Sequence, residues 1–200
     1  MLTTAQLLEP LARHRTDEVV VTTMSVVRPW GRLSDSDLDF ASADSAMGHA
    51  ADLALGIALA RPERKVVCLN GDGSMLMCLG TLATVVEAGA SNYILVVSDN
   101  GVYEITGHQP VPGAGRVDYA GLAEAAGFRR VLRFDDPRAW AAETPGILAS
   151  LGPTFVHAVV ERGSQGPIGR GGSEDARYLR HSLADWARIT RAALTSAAAP

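Results

Sequence analysis

Two apolar runs set one helix apart constrain this chain more than anything else in it. Lys65-Val66-Val67-Cys68-Leu69 leads into Gly71-Asp72-Gly73-Ser74, and Tyr93-Ile94-Leu95-Val96-Val97 stops at Ser98-Asp99-Asn100-Gly101. Between them Leu76, Leu79, Leu82, Val85 and Val86 recur at helical spacing, with Met75, Met77 and Cys78 as soft filler, which predicts one helix from Ser74 to about Gly89. Short apolar runs bounded by turn residues read as strands buried on both faces, and two strands joined by a helix run parallel. The fold class expected is therefore α/β: a doubly wound, mainly parallel sheet with helices on both faces. Both turns then lie at the carboxyl ends of strands, where such sheets bind ligands. Asp72 offers a hard oxygen on one turn and Asn100 on the other. Gly71 and Gly73 let the backbone pass close to an anion, and the amides that open the next helix, those of Gly73 and Ser74, point at it. The pair of corners suits a divalent cation bridging protein oxygens to a diphosphate.

Gly71-Asp72-Gly73, twenty-five residues (74 to 98) and Asp99-Asn100 resemble the diphosphate and Mg2+ motif of thiamine diphosphate (ThDP) enzymes. The resemblance runs from about residue 19 to residue 170. It is nearest to the small 2-oxo acid decarboxylases that act on sulfopyruvate or phosphonopyruvate. Met47-Gly48-His49-Ala50, the segment 53 to 60 with its Arg61-Pro62 exit, Gly71 to Leu76, and Tyr103 to Pro110 with its Thr-Gly-x-Gln-Pro carry it. It implies ThDP and Mg2+ as cofactors, with the metal held by Asp72, Asn100 and the Val102 carbonyl. Met47, 25 residues before Asp72, matches the bulky apolar side chain that props the cofactor bent, with the Ser45 carbonyl receiving its 4′-amino group. From the residues alone, Met47 would be core filler. Thr23, Gly48, His49 and Tyr103 complete the cofactor-facing set. Glu104, His108 and Gln109 are candidates for touching substrate or moving protons; their structural alternative is an ordered surface loop.

In this family a glutamate of a separate pyrimidine-binding domain activates the cofactor, and nothing in this sequence resembles that domain. The resemblance thus implies half an enzyme. Its partner would be a pyrimidine-binding (PYR-type) subunit, in a heterodimer or an α2β2-like assembly, and its substrate a small 2-oxo acid that loses CO2. Two alternatives stay open: a carboligase subunit of the acetolactate synthase kind, and a non-catalytic ThDP-binding subunit. A Rossmann-type nucleotide binder is disfavoured, because no acidic residue closes the second strand as a ribose contact requires. The sequence departs from the family pattern at Asn70, at Asp99 in place of the usual first Asn, and at Glu104 and Ile105, where smaller residues are expected.

The rest of the chain supports one sizeable domain. A hydrophobic content of 47% with 20% charged residues can bury a core, and a net charge of −4 gives no basic field for nucleic acid. No apolar run reaches the ~20 residues of a membrane span, and the first residues lack a signal-peptide pattern, so a cytoplasmic protein is expected. Cys68 and Cys78 read as buried thiols rather than a disulfide or zinc framework. Thr3 or Thr4 caps a helix through about Arg15, and residues 18 to 23 form a strand whose end carries Thr22, Thr23 and Ser25. Residues 28 to 31 and the acidic stretch 34 to 39 read as loop. Gly56 and the alanines of the 50 to 60 helix suggest close packing on the sheet. A helix at 119 to 126, a strand at 128 to 134, a helix at 137 to 151 interrupted by Pro145-Gly146, and a strand at 154 to 161 with a core His157 follow. Residues 1–162 are expected to form the diphosphate-binding domain. Residues 163–200 would be a Gly-rich loop plus a helical appendage, with Ser173 capping a final helix and Leu179, Leu183, Trp186 and Ile189 on one face.

Overall fold

The structure, a computed structural model, describes residues 1–41, 47–164, 166, 168 and 174–196. In chain order the elements are α1 (Thr4–His14), β1 (Val19–Thr22), α2 (Val27–Leu33), β2 (Asp39–Phe40), α3 (Ala50–Ala60), β3 (Val66–Gly71), α4 (Asp72–Met77), α5 (Thr81–Ala88) and β4 (Tyr93–Asp99). They continue with β5 (Val102–Tyr103), β6 (Gln109–Pro110), α6 (Tyr119–Ala126), β7 (Arg130–Phe134), α7 (Pro137–Ala149), β8 (Thr154–Val159), α8 (Arg177–Arg180) and α9 (Leu183–Ser196).

Six strands form one sheet in the order β2-β1-β3-β4-β8-β7, every pair parallel. Alternate residues of each strand feed opposite faces. Val19, Val21, Val66, Cys68, Leu95 and Phe155 join Ala51, Ala54 and Val85 in one core. Val20, Val67, Leu69, Ile94 and Val156 join Leu7, Leu11, Trp30, Trp140 and Ile147 in the other. This is the doubly wound architecture expected from the two apolar runs. From β1 the chain steps outward to β2, then crosses back to β3 on the other side. The reversal of direction leaves a crevice at the carboxyl ends of β1 and β3.

Several elements differ from the sequence reading. Residues 28 to 31 are helix, not loop: α2 carries Pro29 in its first turn, where the missing N–H costs nothing, and buries Trp30 completely. The acidic stretch ends in an edge strand, β2, paired with β1. The predicted helix after Ser74 breaks at Cys78–Gly80 into α4 and α5. The break lets α4 hold Asp72 over the end of β3 while α5 lays Leu82 and Val85 on the sheet. Gly56 is exposed with open space around it, so the close packing of α3 falls to Ala50, Ala51, Ala54, Leu55 and Ala58. Helix α7 runs through Pro145 uninterrupted, held by its buried face of Trp140, Thr144, Ile147 and Leu148. Ser173 lies outside the described residues. Helix α9 starts instead at Ser182, whose hydroxyl accepts from the Asp185 amide at 3.2 Å while Asp185 Oδ2 accepts from the Ser182 amide at 3.1 Å.

The carboxy-terminal segment packs on the sheet domain. Trp186 belongs to the same core as Val19 and Val66. The Tyr178 ring fills the space where a Cβ on Gly31 would sit, and Arg177 stacks over Trp186 with its guanidinium 5.0 Å from the ring centre. Arg177 also pairs with Asp35 and Asp37.

One buried side chain closes the α3–β3 connection. Asn92 Nδ2 donates to the carbonyls of Ala58, Arg61 and Arg64 at 2.9, 3.0 and 2.7 Å, satisfying backbone groups that a helix end leaves open. We expect Asn92→Ala to strand these buried acceptors and lower the urea-unfolding free energy by about 1–3 kcal/mol. An unchanged midpoint would show that water replaces the amide at no cost.

Candidate functional site

The crevice lies where β1, β3 and β4 end. Met24 and Ser25 line it after β1, Gly71 to Ser74 after β3, and Val102 to Thr106 after β4, with Met47 closing one side. The cavity these residues enclose is about 40 Å³, far below the ~300–1,000 Å³ of a full small-molecule pocket.

Its geometry follows from strand register. Parallel pairing sets Gly71 beside Ser98, so the two polar turns leave the sheet side by side. The Gly101 amide donates to Asp72 Oδ2 at 2.9 Å, which joins the turns directly. Asn100 Oδ1 accepts from the Val102 amide at 3.1 Å, a tight turn that holds the asparagine at the corner, and its Nδ2 donates to Glu104 Oε2 at 2.8 Å. Glu104 is buried. Gly73 has no room for a side chain: a Cβ there would overlap the Tyr103 ring and touch Val111. Gly71, by contrast, faces open space on the side a Cβ would occupy, so the backbone at the mouth of the crevice stays bare. The Gly48 amide donates to Ser74 Oγ at 2.9 Å, which ties the turn after Met47 to α4.

The other residues singled out in the sequence scatter around this centre. Thr23 is buried at the end of β1, next to Met24 and Ser25. His49 opens α3 with its ring largely in solvent, Nδ1 lying 3.1 Å from Asp52 Oδ2. His108 and Gln109 are exposed and lie outside the crevice lining. His108 Nε2 is 3.0 Å from the Gly163 carbonyl, and Gln109 Nε2 donates to the Thr106 carbonyl at 2.9 Å. Ser45 lies outside the described residues.

Residues the sequence reading passed over complete the site. His157, expected to be an ordinary core histidine, is buried on β8 with Nε2 2.9 Å from Asp99 Oδ2. Tyr119 packs edge-on against the His157 ring and donates from its hydroxyl to the Asp72 carbonyl at 3.3 Å. Met24 and Thr106 also line the crevice. The positions of His157 and Asp99 on neighbouring strands were the only available sequence signal for that pair, and register alone reveals it.

Charge is concentrated here. Burial raises the Asp72 carboxyl, helped by the adjacent Asp99, to about 7, against the pull of the Gly73 and Gly101 amides. Burial works to raise Asp99 too, but the His157 hydrogen bond and its link to Asp72 hold it below the ordinary carboxylate range. Two neighbouring carboxyls, an amide oxygen and backbone carbonyls form a hard-oxygen donor set, the chemistry that Mg2+ takes.

Comparison with known proteins gives this geometry a family. The sequence model described as "Thiamine pyrophosphate enzyme, C-terminal TPP binding domain" matches residues 32–158. The chain belongs to this thiamine diphosphate-binding family. It is 40% identical over 152 residues to phosphonopyruvate decarboxylase of Streptomyces hygroscopicus, covering 76% of this chain and 37% of that protein. It is 36% identical over 165 residues to sulfopyruvate decarboxylase subunit beta of Methanothermobacter thermautotrophicus, covering 82% of this chain and 85% of that subunit. Among solved structures, benzoylformate decarboxylase of Polynucleobacter necessarius shares the fold at a TM-score of 0.68 and 22% identity, over 82% of this chain and 34% of that one. The chain therefore spans little more than a third of the phosphonopyruvate decarboxylases it matches, and most of the beta subunit. Among the described residues, no helix is long and apolar enough to cross a membrane.

The raised Asp72 carboxyl has a sign that can be measured. The folded chain holds that proton more tightly than the unfolded chain. Its contribution to stability is thus complete below the ordinary carboxylate pKa of about 4 and is lost as pH rises through about 7. In chelator, the unfolding free energy should fall across this window by at most about 1.4 kcal/mol per pH unit from this group. Asp72→Asn, which keeps an acceptor for Gly101, should flatten that fall. An equally steep decline in the variant would remove Asp72 as its source.

Proposed function

We propose that this chain is the diphosphate- and Mg2+-binding subunit of a two-component ThDP-dependent decarboxylase of a small 2-oxo acid, of the sulfopyruvate or phosphonopyruvate kind. The observation that carries the reading is the direct meeting of the two turns, Gly101 amide on Asp72 carboxylate at 2.9 Å, at the reversal point of the sheet. Similarity over most of a sulfopyruvate decarboxylase beta subunit supports both the substrate class and the division into subunits.

Asp72, the Asn100 side-chain oxygen and the Val102 carbonyl would hold Mg2+. The amides of Gly73 and Ser74, at the start of α4, would receive the diphosphate beside bare Gly71. Met47, Gly48, Thr23 and Tyr103 would shape the wall along the cofactor; His49 would join it through its backbone, its ring lying largely in solvent beside Asp52, and the resemblance gives Ser45 the contact to the 4′-amino group. When bound, ThDP supplies an electron sink for the pair released as CO2 departs. The chain's own contribution is placement. Tyr103 packed over Gly73 fixes the diphosphate loop, and the buried Glu104, tied to Asn100, lines the crevice where a substrate carboxylate or a proton in transit would pass. His108 and Gln109 sit on the rim and are assigned to the mouth of the site rather than its floor. The His157–Asp99 pair steadies the Asn100 turn from behind.

The remaining wall would come from a pyrimidine-binding partner bearing the activating glutamate. The match over 85% of a protein named as a beta subunit supports that reading. We further assign residues 1–162 to the diphosphate-binding unit and 163–200 to the appendage, and place the assembly in the cytoplasm.

Two experiments test this. In the assembled complex, Asp72→Ala should abolish Mg2+-dependent ThDP binding measured by calorimetry. Retained affinity would refute the metal assignment. The purified chain alone should turn over no 2-oxo acid until the partner is added, and turnover by the lone chain would refute the division of labour.

A further inference from the structure

Outside the crevice, among the described residues, three side chains of different chemistry converge on one point. His49 caps α3 and Asp52 lies three residues on, so both occupy the same face of its first turn. Cys78 ends α4 at the break before α5. One ligand atom from each, imidazole nitrogen, carboxylate oxygen and thiol sulfur, lies within 4.8 Å of the other two. Cys78 is a free thiol and is only partly covered.

We propose that His49, Asp52 and Cys78 form a binding site for a borderline divalent transition metal of the Zn2+ class. Around a tetrahedral zinc, nitrogen and oxygen ligands stand about 3.3 Å apart and sulfur stands about 3.5 Å from nitrogen, from bond lengths of about 2.0–2.3 Å. The His49–Asp52 separation of 3.1 Å is already close to that value. Even a separation at the 4.8 Å bound would need to close by only about 1.3 Å, a rotamer adjustment for side chains that are not fully packed. The Asp52 carboxylate is oriented by Thr81, whose hydroxyl donates to Oδ1 and leaves Oδ2 turned toward His49. Such an outer hydrogen bond is what fixes a metal-binding carboxylate. The amides at the start of α3 disfavour a cation. Carboxylate and thiolate together supply two negative charges against that partial positive one. Solvent at the exposed His49 and Asp52 provides the fourth ligand.

The donor set also separates this metal from the one proposed at Asp72 and Asn100. Imidazole and thiolate select zinc-like ions over Mg2+, whereas all-oxygen corners do the reverse. The two places share a wall. A Cβ on Gly48 would lie 3.5 Å from Cys78 Sγ, and the Gly48 amide is bonded to Ser74 on the crevice side. Occupancy would pin the turn that presents Met47 to the crevice.

The test uses Co2+ as a spectroscopic substitute on the full reduced chain after chelator treatment. The expected result is a thiolate-to-cobalt charge-transfer band that Zn2+ displaces and excess Mg2+ leaves in place. Cys78→Ser should abolish the band, and Asp52→Asn should weaken Co2+ binding about tenfold or more, with both variants checked for unchanged circular dichroism. Cys68, the other cysteine, is fully buried on β3 and contributes no band. Absence of the band in the unmodified chain, its persistence in Cys78→Ser, or unchanged affinity in Asp52→Asn would each overturn the proposal. These readouts do not involve ThDP, so failure here leaves the proposed function standing.

Discussion

The parallel pairing of β3 with β4 is the constraint from which the site follows. Its register sets Gly71 beside Ser98, so the next residues of both strands leave the sheet at the same level. Were the register slipped by one residue, the side chains of β4 would exchange faces and the two turns would no longer meet. The pairing is buried on both sides, with Leu95 and Val97 facing one core and Ile94 and Val96 the other, which leaves the register little freedom. Geometry at the polar corners is thus secured by apolar packing some distance below them.

That arrangement has an electrostatic cost. It brings the Asp72 and Asp99 carboxyls together behind the crevice, where burial favours the neutral form of Asp72. The cost is offset locally by the Gly73 and Gly101 amides and by His157, which bonds Asp99 from the next strand. The divalent cation proposed for Asp72 and Asn100 would offset it more fully. A carboxylate at Asp99 is coherent in these terms, since His157 on the neighbouring strand lies 2.9 Å from it.

The molecule's second feature is its asymmetry. One face of the crevice is built in detail, by Gly73 under Tyr103 and Asn100 bonded to Glu104, while the enclosed volume is small. The carboxy-terminal segment packs along α2 and the β2 edge of the sheet, where Trp186 and Tyr178 are buried and Arg177 bridges to the acidic stretch before β2. This well-formed half-site is consistent with the proposed partner subunit.

Much of this was legible in the sequence because it depends on short-range pattern. Apolar runs, turn residues and the distance between Asp72 and Asn100 specify a parallel α/β unit and its ligand-facing corners, whatever surrounds them. A threonine cap on the first helix and the helix at 119 to 126 were legible for the same reason, and the structure settles the cap on Thr3. Misread elements were those whose local signals conflict with their burial. Helix α2 contains Pro and Gly yet hides Trp30, α7 carries an exposed Pro145 behind a buried face that holds the helix together, and β2 is an acidic edge strand stabilised by its neighbour. Tertiary structure alone decided that His157 meets Asp99, that Tyr119 reaches the Asp72 carbonyl, that Gly73 is covered by Tyr103, and that Cys78 stands beside His49 and Asp52. Each of these joins residues far apart in the chain. Their proximity is set by strand register and helix packing, which pairwise spacing along a sequence does not encode.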